Sequence, residues 1–503
     1  MIASVVDGRR YHPRLRLIPR ITALTTNSYS QRARARSSAM SQAQTVSVYQ
    51  IVNPATGQIE QTFDSATDAE IEAALASAHA AYNAWKDVSI KDRAKVVHRI
   101  AELFAERKDE LGAVATREMG KPLSEAVGEA EFCGDIFDYF ANEGPALAAD
   151  QPIKTFSGGR AVVQKLPIGV LLGIMPWNYP FYQIARFAAP NLMLGNTVIL
   201  KHAESVPGSA LAVAQLMNDA GVPEGAYVNV FASHNQVETM IADPRVAGVS
   251  LTGSEQAGAV VAATAGKNLK KCVLELGGSD PYVILDTDDV RTAADTAWET
   301  RISNTGQACN SNKRMIVMAD VFDGFVARLT EHARDLRPGD PAAEEDGTFA
   351  PLSSRAAAEA LAEQVQDAVG KGATLHAGGV LGEGPAAYYS PAVLTGITKE
   401  MRAYREELFG PVAVVYKVSD DDEALALAND TAYGLGGAVF STDPERATTV
   451  ARRLDVGMSN VNTPGLGGAE VPFGGVKRSG FGRELGPLGM DEFVNKRMFY
   501  VAD

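Results

Sequence analysis

Two patterns of apolar positions divide the chain. Between residues 68 and 145 they recur at helical spacing. Val96, Ile100, Leu103 and Phe104 stand at i, i+4, i+7 and i+8, which places them on one stripe. Gly120 followed by Pro122 is a stop signal, because Gly accepts the left-handed cap and Pro cannot continue a helix. From Gly169 onward, short apolar runs take over: Gly169–Met175, Thr197–Leu200, Ala226–Phe231, Ala247–Leu251 and Cys272–Leu276. Amphipathic stretches lie between them, the first two stopped by Gly195 and Gly221. Five such runs joined by crossovers long enough for helices predict a parallel sheet covered on both faces. After Gly278 a second α/β pattern begins, with strand-like runs at Tyr282–Leu285, Met315–Met318, Ala413–Val418 and Gly437–Phe440.

Ligands of a parallel sheet bind beyond the carboxyl ends of its strands. The residues that directly follow the first set of runs are Pro176-Trp177-Asn178-Tyr179-Pro180, Lys201-His202-Ala203-Glu204, Thr252-Gly253-Ser254 and Gly277-Gly278. One rim would thus hold an aromatic ring, an amide, a cation, a carboxylate and a Gly-Ser turn. The chain has no GxGxxG. The looser Gly253-Ser254-Glu255-Gln256-Ala257-Gly258 reads either as a plain structural turn or as a helix start open to an anion.

Composition narrows the class. The chain has 503 residues, 47 Lys+Arg against 61 Asp+Glu, and a net charge of −14, which argues against nucleic acid as the main partner. Three cysteines, Cys133, Cys272 and Cys309, are too few and too scattered for a disulfide framework or a zinc cluster. The seven histidines show no HExxH spacing, and no apolar run reaches the ~18 residues of a membrane helix. Neither a metal site nor a membrane anchor is expected. Residues 1–40 differ in sign from the rest, with eight Arg, one Asp, no Lys and no Glu. They read either as an over-extended gene start before Met40 or as an Arg- and Ser-rich mitochondrial presequence, and in both cases as disordered.

Cys309 lies in Asn304-Thr305-Gly306-Gln307-Ala308-Cys309. A lone cysteine is by default a small buried hydrophobe. These flanking residues, however, suit an exposed loop rather than a core strand. Glu275, in Glu275-Leu276-Gly277-Gly278, puts a carboxylate at the end of an otherwise apolar strand beside an open Gly-Gly backbone, as a base with room for substrate would require.

Together these segments resemble the NAD(P)-dependent aldehyde dehydrogenase superfamily from about residue 48 to 503. The matching stretches are MPWNYP (175–180), LKHAE (200–204), LTGS (251–254), LELGG (274–278), NTGQAC (304–309), EELFGPV (406–412) and PFGGVKRSGFGRELG (472–486). Within the superfamily the likeness is to bacterial succinate-semialdehyde dehydrogenases, through KKCVLELGGSDP (270–281) and EFVN (492–495).

The resemblance implies an α/β fold with a Rossmann-type NAD-binding domain (48–147 and 167–275), an α/β catalytic domain (276–474) and a small β oligomerisation element (148–166 and 487–503), behind an N-terminal extension, 1–47. It implies that Cys309 is the nucleophile, forming a thiohemiacetal and then a thioester. Asn178 and the Cys309 N–H would form the oxyanion hole, and Glu275 would activate the hydrolytic water. Relatives that transfer the acyl group to coenzyme A generally lack this carboxylate. Lys201 and Glu204 would hold the adenosine ribose, favouring NAD while leaving NADP possible. Gly253 and Ser254 would meet the pyrophosphate, Trp177 and Leu276 would line the site, Glu407 would bind the nicotinamide ribose, and Phe409 would pack near the ring.

For the substrate, Arg186 matches an arginine that reads the carboxylate of succinate semialdehyde in these relatives. The animal enzymes add an arginine six residues before the nucleophile, where this chain has Ser303; Arg301 either substitutes for it or faces solvent. The loop before PFGG also differs, reading Gly465-Leu466-Gly467-Gly468-Ala469. The expected reaction is oxidation of a small-molecule aldehyde, succinate semialdehyde to succinate, with another short or medium aliphatic aldehyde as the alternative and a non-catalytic protein that keeps the fold as a distant one. Ser311 stands where some relatives carry a second cysteine, so no redox-switching disulfide is expected, and Cys133 and Cys272 would serve packing. The strand-like Lys496–Val501 would be a hazardous open edge unless paired, so a homodimer or homotetramer is expected. The expected location is cytoplasmic, or the mitochondrial matrix if residues 1–40 are a presequence.

Overall fold

The stripe-patterned region forms four helices, Asp68–Trp85, Ile90–Glu106, Lys108–Met119 and Leu123–Leu147, in a computed structural model that describes residues 48–156, 158–334 and 336–503. The extension expected over residues 1–47 lies outside the described residues. Ile100, Leu103 and Phe104 are buried, with Val96 half-buried against the same core. Thr67 opens the first helix with a reciprocal cap: its hydroxyl accepts from the Glu70 N–H at 3.2 Å while the Glu70 carboxylate accepts from the Thr67 N–H at 2.7 Å. Gly120 ends the third helix at φ 77°, in the left-handed region its lack of a Cβ makes accessible.

The five apolar runs become parallel strands of a six-stranded sheet. Its order is Gly480–Phe481, Lys271–Glu275, Val246–Thr252, Val170–Met175, Thr197–His202, Tyr227–Asn229, with only Gly480–Phe481 antiparallel. The chain builds outward from Val170–Met175 in one direction and then returns to its other side with Val246–Thr252. The carboxyl ends of those two strands, leading into Pro176-Trp177-Asn178 and Gly253-Ser254, therefore flank the switch point where such sheets bind ligands. Helix Tyr182–Leu194 follows the first strand and is buried along almost all its length.

A seven-stranded sheet holds the second pattern, in the order Thr374–Ala377, Ala392–Thr395, Val412–Val418, Arg314–Met318, Pro281–Ile284, Gly436–Phe440, Met458–Val461. Its four central strands are those predicted from their apolar runs. Three strands went unpredicted: the edge strands Thr374–Ala377 and Met458–Val461, which are short and mix polar with apolar residues, and Ala392–Thr395, which is buried but only four residues long. The last sheet pairs Val494–Val501 with Arg160–Pro167 along its full length, and Gln151–Ile153 lies on the other side. Met498, Phe499, Tyr500 and Val501 stay exposed along this outer strand. Among the described residues, no helix is long and apolar enough to cross a membrane.

Candidate active site

Helix Val290–Ile302 runs into a tight turn, Ser303–Gly306, that delivers Cys309 to the seam between the two large sheets. Asn304 and Thr305 adopt left-handed backbone (φ 50° and 54°), a costly conformation for residues with a Cβ. Their surroundings hold them there. The Asn304 amide donates to the Asn178 carbonyl at 2.8 Å and the Gln307 carbonyl at 3.2 Å. The Asn304 N–H and the Ser303 hydroxyl both donate to the Glu125 carboxylate. Gly306, at φ 72°, lies so close to Gly410 that any side chain would collide with its carbonyl.

Two buried cations support this loop from behind. Arg301 donates to the carbonyls of Val412 (2.8 Å), Gly306 (3.1 Å), Leu408 (2.8 Å) and Gly410 (2.6 Å) and to the Ser311 hydroxyl (3.0 Å). The expectation that Arg301 substitutes as a substrate reader or faces solvent is thereby corrected: it is wholly buried and its guanidinium is spent on the loop. Lys313 donates to the carbonyls of Ala308 (2.6 Å) and Cys309 (2.8 Å) and pairs with Glu407 at 2.9 Å.

The cysteine lies between two cavities. One, of about 300 Å³, is lined by Trp177, Asn178, Gly253, Ser254, Glu275, Leu276, Glu407 and Phe409 together with Cys309 and Gln183. The other, of about 350 Å³, is lined by Glu125, Glu129, Phe132, Tyr179, Tyr182, Ser303 and Phe473, again with Cys309 and Gln183. Eight sequence-predicted residues thus meet the cysteine in one cavity. Trp177 and Phe409 face each other edge-on there, ring centres 5.7 Å apart, and Ser254 caps the helix Glu255–Lys267, accepting from the Ala257 N–H. Lys201 and Glu204 line neither cavity. They pair at 2.6 Å at the carboxyl end of the neighbouring strand. Burial pushes the Glu204 carboxyl up, but Lys201 beside it more than offsets this and holds it below the usual range.

Glu275 is buried, and neither carboxylate oxygen has a hydrogen-bond partner among the described residues. Burial drives its carboxyl well above the ordinary range; the Arg186 charge opposes this and Glu484 adds to it. Burial likewise pushes the Cys309 thiol up to about 11, against the pull of Arg186 and Lys313. The Asn178 amide donates to the Gln307 carbonyl at 3.0 Å, next to the thiol's loop.

Arg186 departs from its expected place. Its side chain is wholly buried and paired with Glu484, with a bond to the Thr252 hydroxyl at 3.2 Å. It lines neither cavity. Instead it stacks behind the second cavity's wall, 4.3 Å from the Phe473 ring centre and 5.0 Å from that of Tyr182. None of the described residues lining that cavity is Lys or Arg.

Four contributors escaped the sequence reading: Gln183, which lines both cavities, and Lys313, Glu125 and Glu484. The first two had a usable signal, standing five residues after Asn178 and four after Cys309. Glu484 stands inside the quoted stretch 472–486, although nothing in that stretch points to Glu275, and Glu125 carries no signal, since only packing brings it to the loop. Cys133 is buried in the helix Leu123–Leu147, and Cys272 is half-buried in its strand. No group of three or more His, Cys, Asp or Glu among the described residues is placed to hold a metal.

The sequence profile of the aldehyde dehydrogenase family matches residues 40–499. The succinate-semialdehyde dehydrogenase [NADP(+)] of Deinococcus radiodurans is 54% identical over 447 residues, covering 89% of this chain and 93% of its own. The enzyme of the same name from Mycolicibacterium paratuberculosis is 42% identical over 454 residues, covering 90% and 96%. The crystal structure of succinic semialdehyde dehydrogenase from Streptococcus pyogenes, in complex with NADP+ as the cofactor, superposes with a TM-score of 0.87 at 41% identity, over 90% of this chain and 100% of that one. The chain belongs to the aldehyde dehydrogenase family, and its site sets one thiol between two cavities with the Glu275 carboxylate on the wall of one.

Proposed function

We propose that this enzyme oxidises succinate semialdehyde to succinate with NAD or NADP. The single observation that carries the chemistry is that Cys309 lines both cavities, with Glu275 on the wall of the first. The substrate class rests on relatives named for succinate semialdehyde at 54% and 42% identity.

The residues of the first cavity fit a nicotinamide dinucleotide. The helix N-terminus after Gly253-Ser254 favours a pyrophosphate. A side chain added at Gly253 would meet nothing closer than 3.7 Å, so the backbone there is open to a ligand. Glu407 and Phe409 close the cavity's far side for the nicotinamide half, and the Lys201–Glu204 pair sits where the adenosine ribose would lie. Glu204 accepts from ribose hydroxyls and disfavours a 2′-phosphate, whereas Lys201 supplies the counter-charge that tolerates one. The pair alone favours NAD while leaving NADP possible, and the relatives named for NADP(+) support NADP. When bound, the dinucleotide supplies a hydride acceptor.

In this reading the Cys309 thiolate attacks the aldehyde carbon, forming the C–S bond of a thiohemiacetal. Its oxyanion is met by the Cys309 N–H and by Asn178, which exchanges the Gln307 carbonyl for it. After oxidation to the thioester, Glu275 takes a proton from water as that water attacks the acyl carbon, and the thiolate leaves. The unpartnered Glu275 oxygens leave a hydrogen bond to that water available.

Arg186 would draw the substrate's carboxylate from behind the Tyr182–Phe473 wall. The absence of Lys or Arg from the lining of that cavity favours a second reading, an uncharged short or medium aliphatic aldehyde. Initial rates on succinate semialdehyde, propanal and hexanal, each with NAD and NADP, separate the two. Preference for the carboxylated aldehyde supports the first reading, and equal or better rates with the uncharged ones overturn it.

We assign residues 48–147 and 167–275 to cofactor binding, 276–474 to catalysis, and 148–166 with 487–503 to assembly as a homodimer or homotetramer. The outer strand Val494–Val501, whose Met498–Val501 stretch is apolar and exposed, supports the last assignment, because such an edge invites pairing with another copy. The bacterial relatives support a cytoplasmic location.

A further inference from the structure

Lys313 belongs to no motif quoted for the reaction, yet it touches both halves of the site. Its ammonium has three protons, and three acceptors surround it: the carbonyls of Ala308 and Cys309 and the Glu407 carboxylate. The side chain is buried, so water does not compete for these bonds. The two carbonyls flank the nucleophile in the chain. A trans peptide is planar, with its C=O and N–H opposed. Holding the Ala308 carbonyl therefore aims the Cys309 N–H the opposite way, toward its role as oxyanion donor. Holding the Cys309 carbonyl as well fixes the backbone on both sides of its Cα, and with it the direction of the thiol.

The third contact leads to the cofactor half. Glu407 accepts from Lys313 and from the Gly278 N–H at 3.1 Å, both through one carboxylate oxygen. Its other oxygen is left to meet a ribose, so a ligand engaging that oxygen pulls on the same carboxylate that holds Lys313. We propose that Lys313 is a positioning residue that couples the two cavities: engagement of Glu407 by the dinucleotide is passed through the lysine to the carbonyls of Ala308 and Cys309, and so to the orientation of the thiol and of the oxyanion donor. This rests on the roles given above to Cys309 and Glu407.

The test uses the full-length enzyme and follows alkylation of Cys309 by iodoacetamide, with mass spectrometry of the Cys309 peptide, with and without saturating NAD. In the unsubstituted enzyme NAD should change the alkylation rate by about fivefold or more, the scale of an ordinary coupling between sites. In Lys313→Met that change should shrink to within about twofold while NAD still raises the melting temperature. Glu407→Gln, which leaves the loop's support in place, should lose the coupling too, and the double variant should be no worse than either single one. A Lys313→Met enzyme that binds NAD and keeps the full rate change overturns the inference, as does an unsubstituted enzyme showing no change. If Lys313→Met fails to fold, Glu407→Gln decides alone: coupling lost with NAD bound supports the inference, and coupling kept overturns it. Turnover retained in Cys309→Ser would instead break the underlying reading of the nucleophile, an outcome the alkylation comparison does not mimic.

Discussion

Arg301 and Arg186 are both wholly buried near Cys309, and their neighbourhoods differ in kind. Arg301 is surrounded by neutral acceptors, four backbone carbonyls and a hydroxyl, each taking one of its protons. Arg186 sits among ionisable groups, paired with Glu484 and opposing the burial of Glu275, and its Nη1 has no hydrogen-bond partner among the described residues. The first arrangement is saturated and therefore rigid. The second leaves buried polar atoms open, and such groups are retained where chemistry needs them. A guanidinium thus serves as a bracket behind the Cys309 loop in one place and as a charge beside Glu275 in the other.

The contrast is sharpened most by substitutions of the base itself. Glu275→Gln should lower steady-state turnover by roughly 10³-fold, within the range of a lost general base. It should still release about one equivalent of reduced nicotinamide per site in a burst, because thioester formation does not need the base. Loss of the burst along with turnover would place Glu275 in the first step instead.

Arg301→Met should act on stability. It strands several buried carbonyls at about 1–3 kcal/mol apiece, for a total on the order of 4 kcal/mol, readable as a lowered midpoint in urea. The rate ratio of carboxylated to uncharged aldehydes should stay unchanged. A change in that ratio with stability intact would make Arg301 a substrate reader after all.

Arg186→Met should do the reverse. We expect its kcat/KM for succinate semialdehyde to fall about tenfold relative to hexanal, the scale of one weakened charge contact. The same variant carries a signed pH effect. In the proposed role Glu275 acts as a carboxylate, and burial raises its pKa, so turnover should rise with pH through that raised value and be lost below it. Removing the Arg186 charge, which opposes the shift, should move this acid limb to higher pH. The smallest effect is expected from Glu484→Gln, which removes a neighbouring negative charge and should move the limb by less than about one pH unit to lower pH. Movement of both limbs in the same direction would break the electrostatic half of the comparison.

Much of the fold was legible because burial on both faces leaves a strand with few polar positions. Val170–Met175 and Val246–Thr252 therefore announced themselves as apolar runs, and the residues after them named the rim. Thr374–Ala377 and Met458–Val461 did not, since strands this short with polar positions lack such a signature. At the site, Glu275 stood out as a carboxylate closing an apolar strand, Cys309 by flanking residues that suit a loop, and Trp177 by its place just after a strand end. Arg186 and Arg301 were visible as residues but not as neighbourhoods.

By itself, then, the sequence determined the alternation of strands and helices, the strand-end positions and the chemical identities of thiol, amide and carboxylate. These depend on local periodicity and on groups a short motif already contains. Only the tertiary structure decided which cation faces which anion. Arg186 meets Glu484 across 298 residues and Arg301 meets the carbonyl of Val412 across 111. Contacts of that span are set by how helices and sheets pack, and a buried charge takes its role from whichever partner the packing brings to it.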